Sequence, residues 1–170
     1  MSFHSARVLV MDDATGEVLL EKNAATAAPI ASLTKLITAI VVIDAKQDLT
    51  EKIRIDEADV DTLKHTRAGV PVGAEVARET LLELALIASD NRAAAALARS
   101  YPGGPAAFAE ATQRKIDVLG LLHTRLVEPT GLAPGNHSSA IDMAKLLQAT
   151  QAYPLIALIT SRRTHAVWVN

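Results

Sequence analysis

The stretch Leu81–Ala98, LLELALIASDNRAAAALA, limits the fold more tightly than any other part of the sequence. Apolar residues recur at helical spacing on both sides of Ser89-Asp90-Asn91, so one amphipathic helix ends near Ala88 and another starts near Asn91. The second is mostly alanine, and such a helix buries itself only where its neighbours come close. Aromatic residues make up 3% of the 170-residue chain against 49% hydrophobic overall. The core must therefore be filled by Leu, Ile, Val and Ala, a composition suited to closely packed helices. The polar triplet between the two helices has two readings. Ser89 or Asp90 caps the second helix, or the triplet offers a hydroxyl and an amide in a rigid loop, able to relay a proton and hold a substrate carbonyl.

Helical periodicity also marks Ser32 to about Lys46, about Ala77 to Ala88, Pro105 to Leu119 with Gly120 as stop, and Ser138 or Ser139 to about Gln151. At the N-terminus, Val8 to Met11 and Val18 to Leu20 flank the turn-rich Asp12–Gly16, a hairpin pattern. A hairpin alone is marginal and needs further strands or a helix to cover it. The segment from Glu51 to Val76 is polar and strand-prone. No composition shift marks a linker, so residues 1–170 are expected to form one α+β body, a hairpin over about 6–22 and a helical region over about 30–165.

Composition excludes several functions. With 17 basic and 19 acidic residues, net −2, and no basic run or aromatic ladder, nucleic-acid binding is not expected. The chain has no cysteine, so there is no disulfide framework and no thiolate chemistry. His4, His65, His123, His137 and His165 are scattered without paired-ligand spacing, so neither a metal nor another cofactor is expected. The N-terminus lacks the pattern of a signal peptide, and the longest apolar run, Leu36 to Ile43, is too short to span a membrane. The chain is expected to be cytosolic or already stripped of an export signal.

Ser32 and Lys35 stand at i and i+3 of the first helix and share a face. One reading makes Ser32 an N-cap and leaves Lys35 in solvent. The other makes Ser32 a nucleophile and Lys35 its base, with the helix dipole and partial burial disfavouring the ammonium and the Ser32 N–H acting as an oxyanion donor. A Ser-x-x-Lys pair alone does not separate the two. Followed by Ser-Asp-Asn, it matches two of the three signatures of the serine penicillin-recognising enzymes.

The segments ASLTKLITAIVVIDA, ASDNRAAAALA, YPGGPAAFAEA and LVEPTGL resemble the low-molecular-weight penicillin-binding proteins, the D-alanyl-D-alanine carboxypeptidases and endopeptidases, and the endopeptidase branch most. The likeness runs from near Ala6 to about Arg163. It implies a β-lactamase/transpeptidase-like fold and a serine peptidase acting through an acyl-enzyme on peptidoglycan peptides, outside the cytoplasm, inhibited by β-lactams. It further implies that Ser32 is acylated, Lys35 is its base, Ser89 relays a proton to the leaving group, and Asn91 orients Lys35 and substrate. Asp90 takes the middle position, in a packing or capping role as readily as a chemical one.

The sequence departs from the family pattern in one respect. No Lys-Thr/Ser-Gly occurs up to Asn170. In the family that motif lies on a C-terminal strand that supplies a carboxylate-binding edge and the second oxyanion N–H, so the resemblance implies impaired catalysis by this sequence alone. It also implies an uncovered hairpin edge open to self-association or to a complementing C-terminal segment. A non-catalytic module binding cell-wall peptide or protein is the alternative. A β-lactamase is the lesser one: Glu128 precedes Leu132 but no Asn follows, and a loop glutamate before Pro129 is expected to be solvated.

Overall fold

A helix apolar on all sides is stable only when surrounded, and the run Leu36–Ile43 is surrounded. In the computed structural model, which describes residues 4–162 and residue 166, it forms most of helix α1, Thr34–Asp44. Thr34, Lys35 and every residue from Ile37 to Val42 are buried. Around α1 pack α2 (Arg78–Ile87), α3 (Asn91–Arg99), α4 (Gly104–Val118) and α5 (Ala140–Thr150). Helix α3 is alanine where it meets its neighbours: Ala93, Ala94, Ala96 and Ala98 are buried with Leu97. The side chains are short, so α3 sits close to α1, and its first residue reaches the start of that helix.

Strands β1 (Val8–Met11) and β2 (Val18–Lys22) form the expected antiparallel hairpin, Val8 opposite Lys22, with an irregularity between Val10 and Met11. Helix α5 packs against β1, and the Ile141 N–H donates to the Ala24 carbonyl. Within the strand-prone segment, β4 (Lys52–Arg54) and β5 (Glu75–Ala77) pair antiparallel. A third pair has no clear sequence signal: β3 (Ala28–Pro29) runs against β6 (His137–Ser138). It is short, but it ties the chain just before Ser32 to the chain just after residue 136.

Two boundaries of α1 are corrected, and one helix is added. Helix α1 starts at Thr34, not Ser32, because residues Ala31–Leu33 form a tighter 3₁₀ turn first. The φ of +47° at Ala31 prevents a continuous α-helix through that residue. The same helix ends at Asp44, short of Lys46, whose φ is +51°. A further helix, α6 (Pro154–Thr160), follows α5, its register opened by Pro154 at the first turn. The expected end of the helical region at about 165, Arg163 as the limit of the likeness, and His165 lie outside the described residues.

Close approach at α3 leaves no room for a larger side chain. Ala96→Leu is expected to destabilise the chain by about 1–3 kcal/mol, seen as a lower urea midpoint with an unchanged slope.

Candidate active site

Lys35 is the buried centre of the site. A lysine nitrogen carries three protons, and removing it from water is costly unless each meets an acceptor. At 2% exposure, Lys35 meets all three: Nζ donates to Ser32 Oγ at 3.1 Å, Asn91 Oδ1 at 2.7 Å and the Thr130 carbonyl at 2.7 Å. The reading of Lys35 as a solvent-facing residue is thereby excluded. So is Ser32 as a cap, since neither the 3₁₀ turn nor α1 has a side-chain cap. Ser32 is exposed, one turn below the lysine, at the mouth of a cleft of about 360 Å³ lined also by Leu33, Leu36, Leu86 and Ser89.

The polar triplet holds three separate positions. Ser89 Oγ donates to Ser32 Oγ at 2.7 Å. Asp90 is buried and caps α3, accepting from the Ala93 N–H at 2.9 Å; its other oxygen accepts from the Gly69 N–H at 2.6 Å. Asn91, the first residue of α3, offers Oδ1 to Lys35 while Nδ2 donates to Thr66 Oγ1 at 2.9 Å. The Lys35 ammonium only donates and Thr66 Oγ1 gives its own proton to Asp61 at 2.7 Å, so the amide oxygen faces the lysine and the NH₂ the threonine. Both readings of the triplet therefore apply, to different residues: Asp90 caps, while Ser89 and Asn91 face Ser32 and Lys35.

Burial lowers the Lys35 pKa below the ordinary lysine value, while the negative charges of Glu128 and Asp90 oppose the shift. The geometry says where the lost proton's place would be. In the neutral amine the two remaining N–H groups satisfy Asn91 Oδ1 and the Thr130 carbonyl. The lone pair then points at Ser32 Oγ, the alignment that proton abstraction from a hydroxyl requires.

Thr130 lies in LVEPTGL, a segment that sequence reasoning singled out for its likeness without giving Thr130 a role. Glu128 is half-buried and bonded throughout, against the expectation of a solvated side chain. One oxygen accepts from the Thr130 N–H at 2.7 Å and from Thr130 Oγ1; the other accepts from the Gly131 N–H at 2.7 Å, the Ala133 N–H at 3.3 Å and Asn136 Nδ2 at 2.9 Å. Asn136, fully buried, also donates to Thr34 Oγ1 of α1 at 3.1 Å. Gly131 has φ +90°, and a Cβ there would lie 1.9 Å from the Ala31 carbonyl oxygen. Of these residues, only Gly131 beside a Pro-Thr turn gave a local hint of its role.

Comparison with known proteins bears on the fold and the family. Among solved structures the chain is similar to a D-alanyl-D-alanine carboxypeptidase from Francisella tularensis, TM-score 0.84 at 28% identity, covering 94% of this chain and 40% of that one. It is equally similar to a mutant Streptomyces DD-transpeptidase, TM-score 0.85 at 27% identity, covering 94% and 65%. The fold is thus a DD-peptidase architecture, with the hairpin set against a mostly helical body. The D-alanyl-D-alanine carboxypeptidase family model matches residues 1–170, and the chain belongs to that family. Among curated relatives, the D-alanyl-D-alanine endopeptidase of Pseudomonas aeruginosa is 45% identical over 153 residues, covering 90% of this chain and 49% of the relative. The Escherichia coli endopeptidase is 42% identical over 167 residues, covering 98% and 54%. The chain spans about half the length of these relatives.

The close approach at Gly131 gives a direct test. Gly131→Ala places a methyl group against the Ala31 carbonyl and demands a φ that alanine rarely adopts. It is expected to lower stability by about 2 kcal/mol or more, read by thermal denaturation.

Proposed function

We propose that the chain is the nucleophile-bearing part of a serine D-alanyl-D-alanine peptidase acting outside the cytoplasm on peptidoglycan peptides through an ester at Ser32. The observation that carries this reading is the lysine nitrogen held by Asn91 and Thr130 with its third position on Ser32 Oγ. Ser32 attacks the carbonyl of a D-Ala-D-Ala-type bond as Lys35 takes its proton, and the Ser32 N–H is one oxyanion donor. Ser89 lies 2.7 Å from Ser32 Oγ and passes a proton toward the leaving amine. Water then hydrolyses the ester. Asn91 orients Lys35 and contacts the substrate. A β-lactam forms the same ester and acts as inhibitor.

On this reading residues 1–170 form part of one transpeptidase-like domain, and a segment bearing Lys-Thr-Gly supplies the carboxylate-binding edge and second oxyanion donor. The outer hairpin surface supports that arrangement: Val18 is 51% exposed and Leu19 61%. Joining the chain to the C-terminal half of the Pseudomonas relative is expected to reduce self-association in sedimentation. An isolated chain that stays monodisperse and as stable as the joined one would count against the arrangement.

In the joined protein, labelled penicillin is expected to add at Ser32, with Ser32→Ala abolishing the adduct and Lys35→Ala slowing it severely. Peptide mass mapping reads the site, and an adduct at another residue would refute the mechanism. The isolated chain should label slowly or not at all, since one oxyanion donor is worth about 3 kcal/mol. The acylation rate should rise with pH through a value below the ordinary lysine pKa, because burial depresses Lys35 and only the neutral amine accepts the Ser32 proton.

A further inference from the structure

The mechanism above leaves Glu128 without a part, yet this glutamate accepts more hydrogen bonds than any other group near the site. Its five donors belong to Thr130, Gly131, Ala133 and Asn136. No acceptor capacity on the carboxylate remains for a water to be activated. What these bonds fix is the path of residues 128–133, and so the Thr130 carbonyl that receives Lys35 Nζ. Two further bonds seat the same loop on α1: Thr38 Oγ1 donates to the Pro129 carbonyl at 2.8 Å, and Asn136 Nδ2 to Thr34 Oγ1 at 3.1 Å. The carboxylate is thus the hub of a loop pressed against the Ser32 turn, where Gly131 meets the Ala31 carbonyl.

We infer that Glu128 is a positioning residue: its carboxylate holds the Thr130 carbonyl in place and thereby aims Lys35 at Ser32. It does not act as the base that hydrolyses the acyl-enzyme. The chemistry requires an acceptor-only group of this length. A glutamine replaces one oxygen by an NH₂, which turns away the N–H groups on that side. An aspartate keeps the charge but falls one methylene short of its donors.

Two effects of the substitution have opposite signs. If Glu128 acted only through its charge, Glu128→Gln would remove an influence that raises the Lys35 pKa, and the value would fall further. If it holds the loop, losing it lets water reach Nζ, burial weakens, and the value rises toward that of an ordinary lysine. NMR titration of the Lys35 Cε signal in the labelled 170-residue chain reads the difference without substrate. The expected result is an upward shift in both E128Q and E128D. A fall or no change in either variant overturns the inference.

The second arm rests on the reading of Ser32 as the nucleophile and uses the joined protein. Acylation by penicillin in E128Q should slow about a hundred-fold, the scale of a misplacement of about 1 Å, while hydrolysis of the adduct keeps its parental rate. Unchanged acylation with slowed hydrolysis would make Glu128 the deacylating base and overturn the inference. If the parent never forms an adduct at Ser32, the peptidase reading fails, and the titration still decides whether Glu128 positions Lys35.

Discussion

A buried lysine nitrogen needs three acceptors, and the rest of the site follows from supplying them. One is the side chain one turn below, one opens α3, and one is a backbone carbonyl from a loop 95 residues further along the chain. Losing any of them would leave a buried polar hydrogen unmet, so the three segments are coupled energetically as well as spatially. Burial by α2 to α5 makes the arrangement necessary, because in water the same lysine would satisfy itself with solvent. The alanine surface of α3 matters here for a mechanical reason: it brings Asn91 within reach of α1.

The site also retains backbone strain. Ala31 and Ser89 both have positive φ, +47° and +54°, although neither is glycine or asparagine. Each such residue costs of order 1 kcal/mol or more and persists only where its surroundings overdetermine it. The surroundings at Ala31 are visible: the β3–β6 pair, the Ile30 N–H donating to the Asn136 carbonyl at 3.2 Å, and the flat face of Gly131. At Ser89 the turn is held by Asp90, bonded on one side to α3 and on the other to Gly69. The strain has a local result, since these two backbone turns bring the Ser32 and Ser89 hydroxyls within 2.7 Å.

The parts of this site that could be read from sequence are those whose information lies in side-chain type and short spacing. Ser32 and Lys35 declare themselves at i and i+3, and the triplet at 89–91 stands out because it interrupts two apolar helices. The helical framework was legible for the same reason, to within two or three residues at the ends. Thr130 was hidden because it contributes a carbonyl, which every residue has. Thr66 and Asn136 were hidden by the distance to their partners, 25 and 102 residues away along the chain. Glu128 was misjudged because a glutamate before proline is commonly solvated, and nothing local shows that five backbone and side-chain groups from four following residues would turn back on it. The β3–β6 pair, two residues long on each side, falls below what alternation can reveal.

This division has a consequence for how the protein works. Among the described residues, every group that touches Lys35 Nζ comes from the helical body or the loop seated on it, and none from the β1–β2 hairpin. The state of Lys35 is therefore set by packing that needs neither the sheet nor a bound substrate. On the peptidase reading proposed above, substrate recognition would instead depend on an edge that a further strand beside the hairpin supplies. If nucleophile activation and substrate binding reside in separately stabilised parts, sequence changes at the sheet can alter which peptide is bound without disturbing Lys35. Conversely, if Lys35 takes the Ser32 proton as proposed, loosening the loop at 128–136 should impair the chemistry for every substrate alike, because it acts on Lys35 and not on the contacts that distinguish one peptide from another.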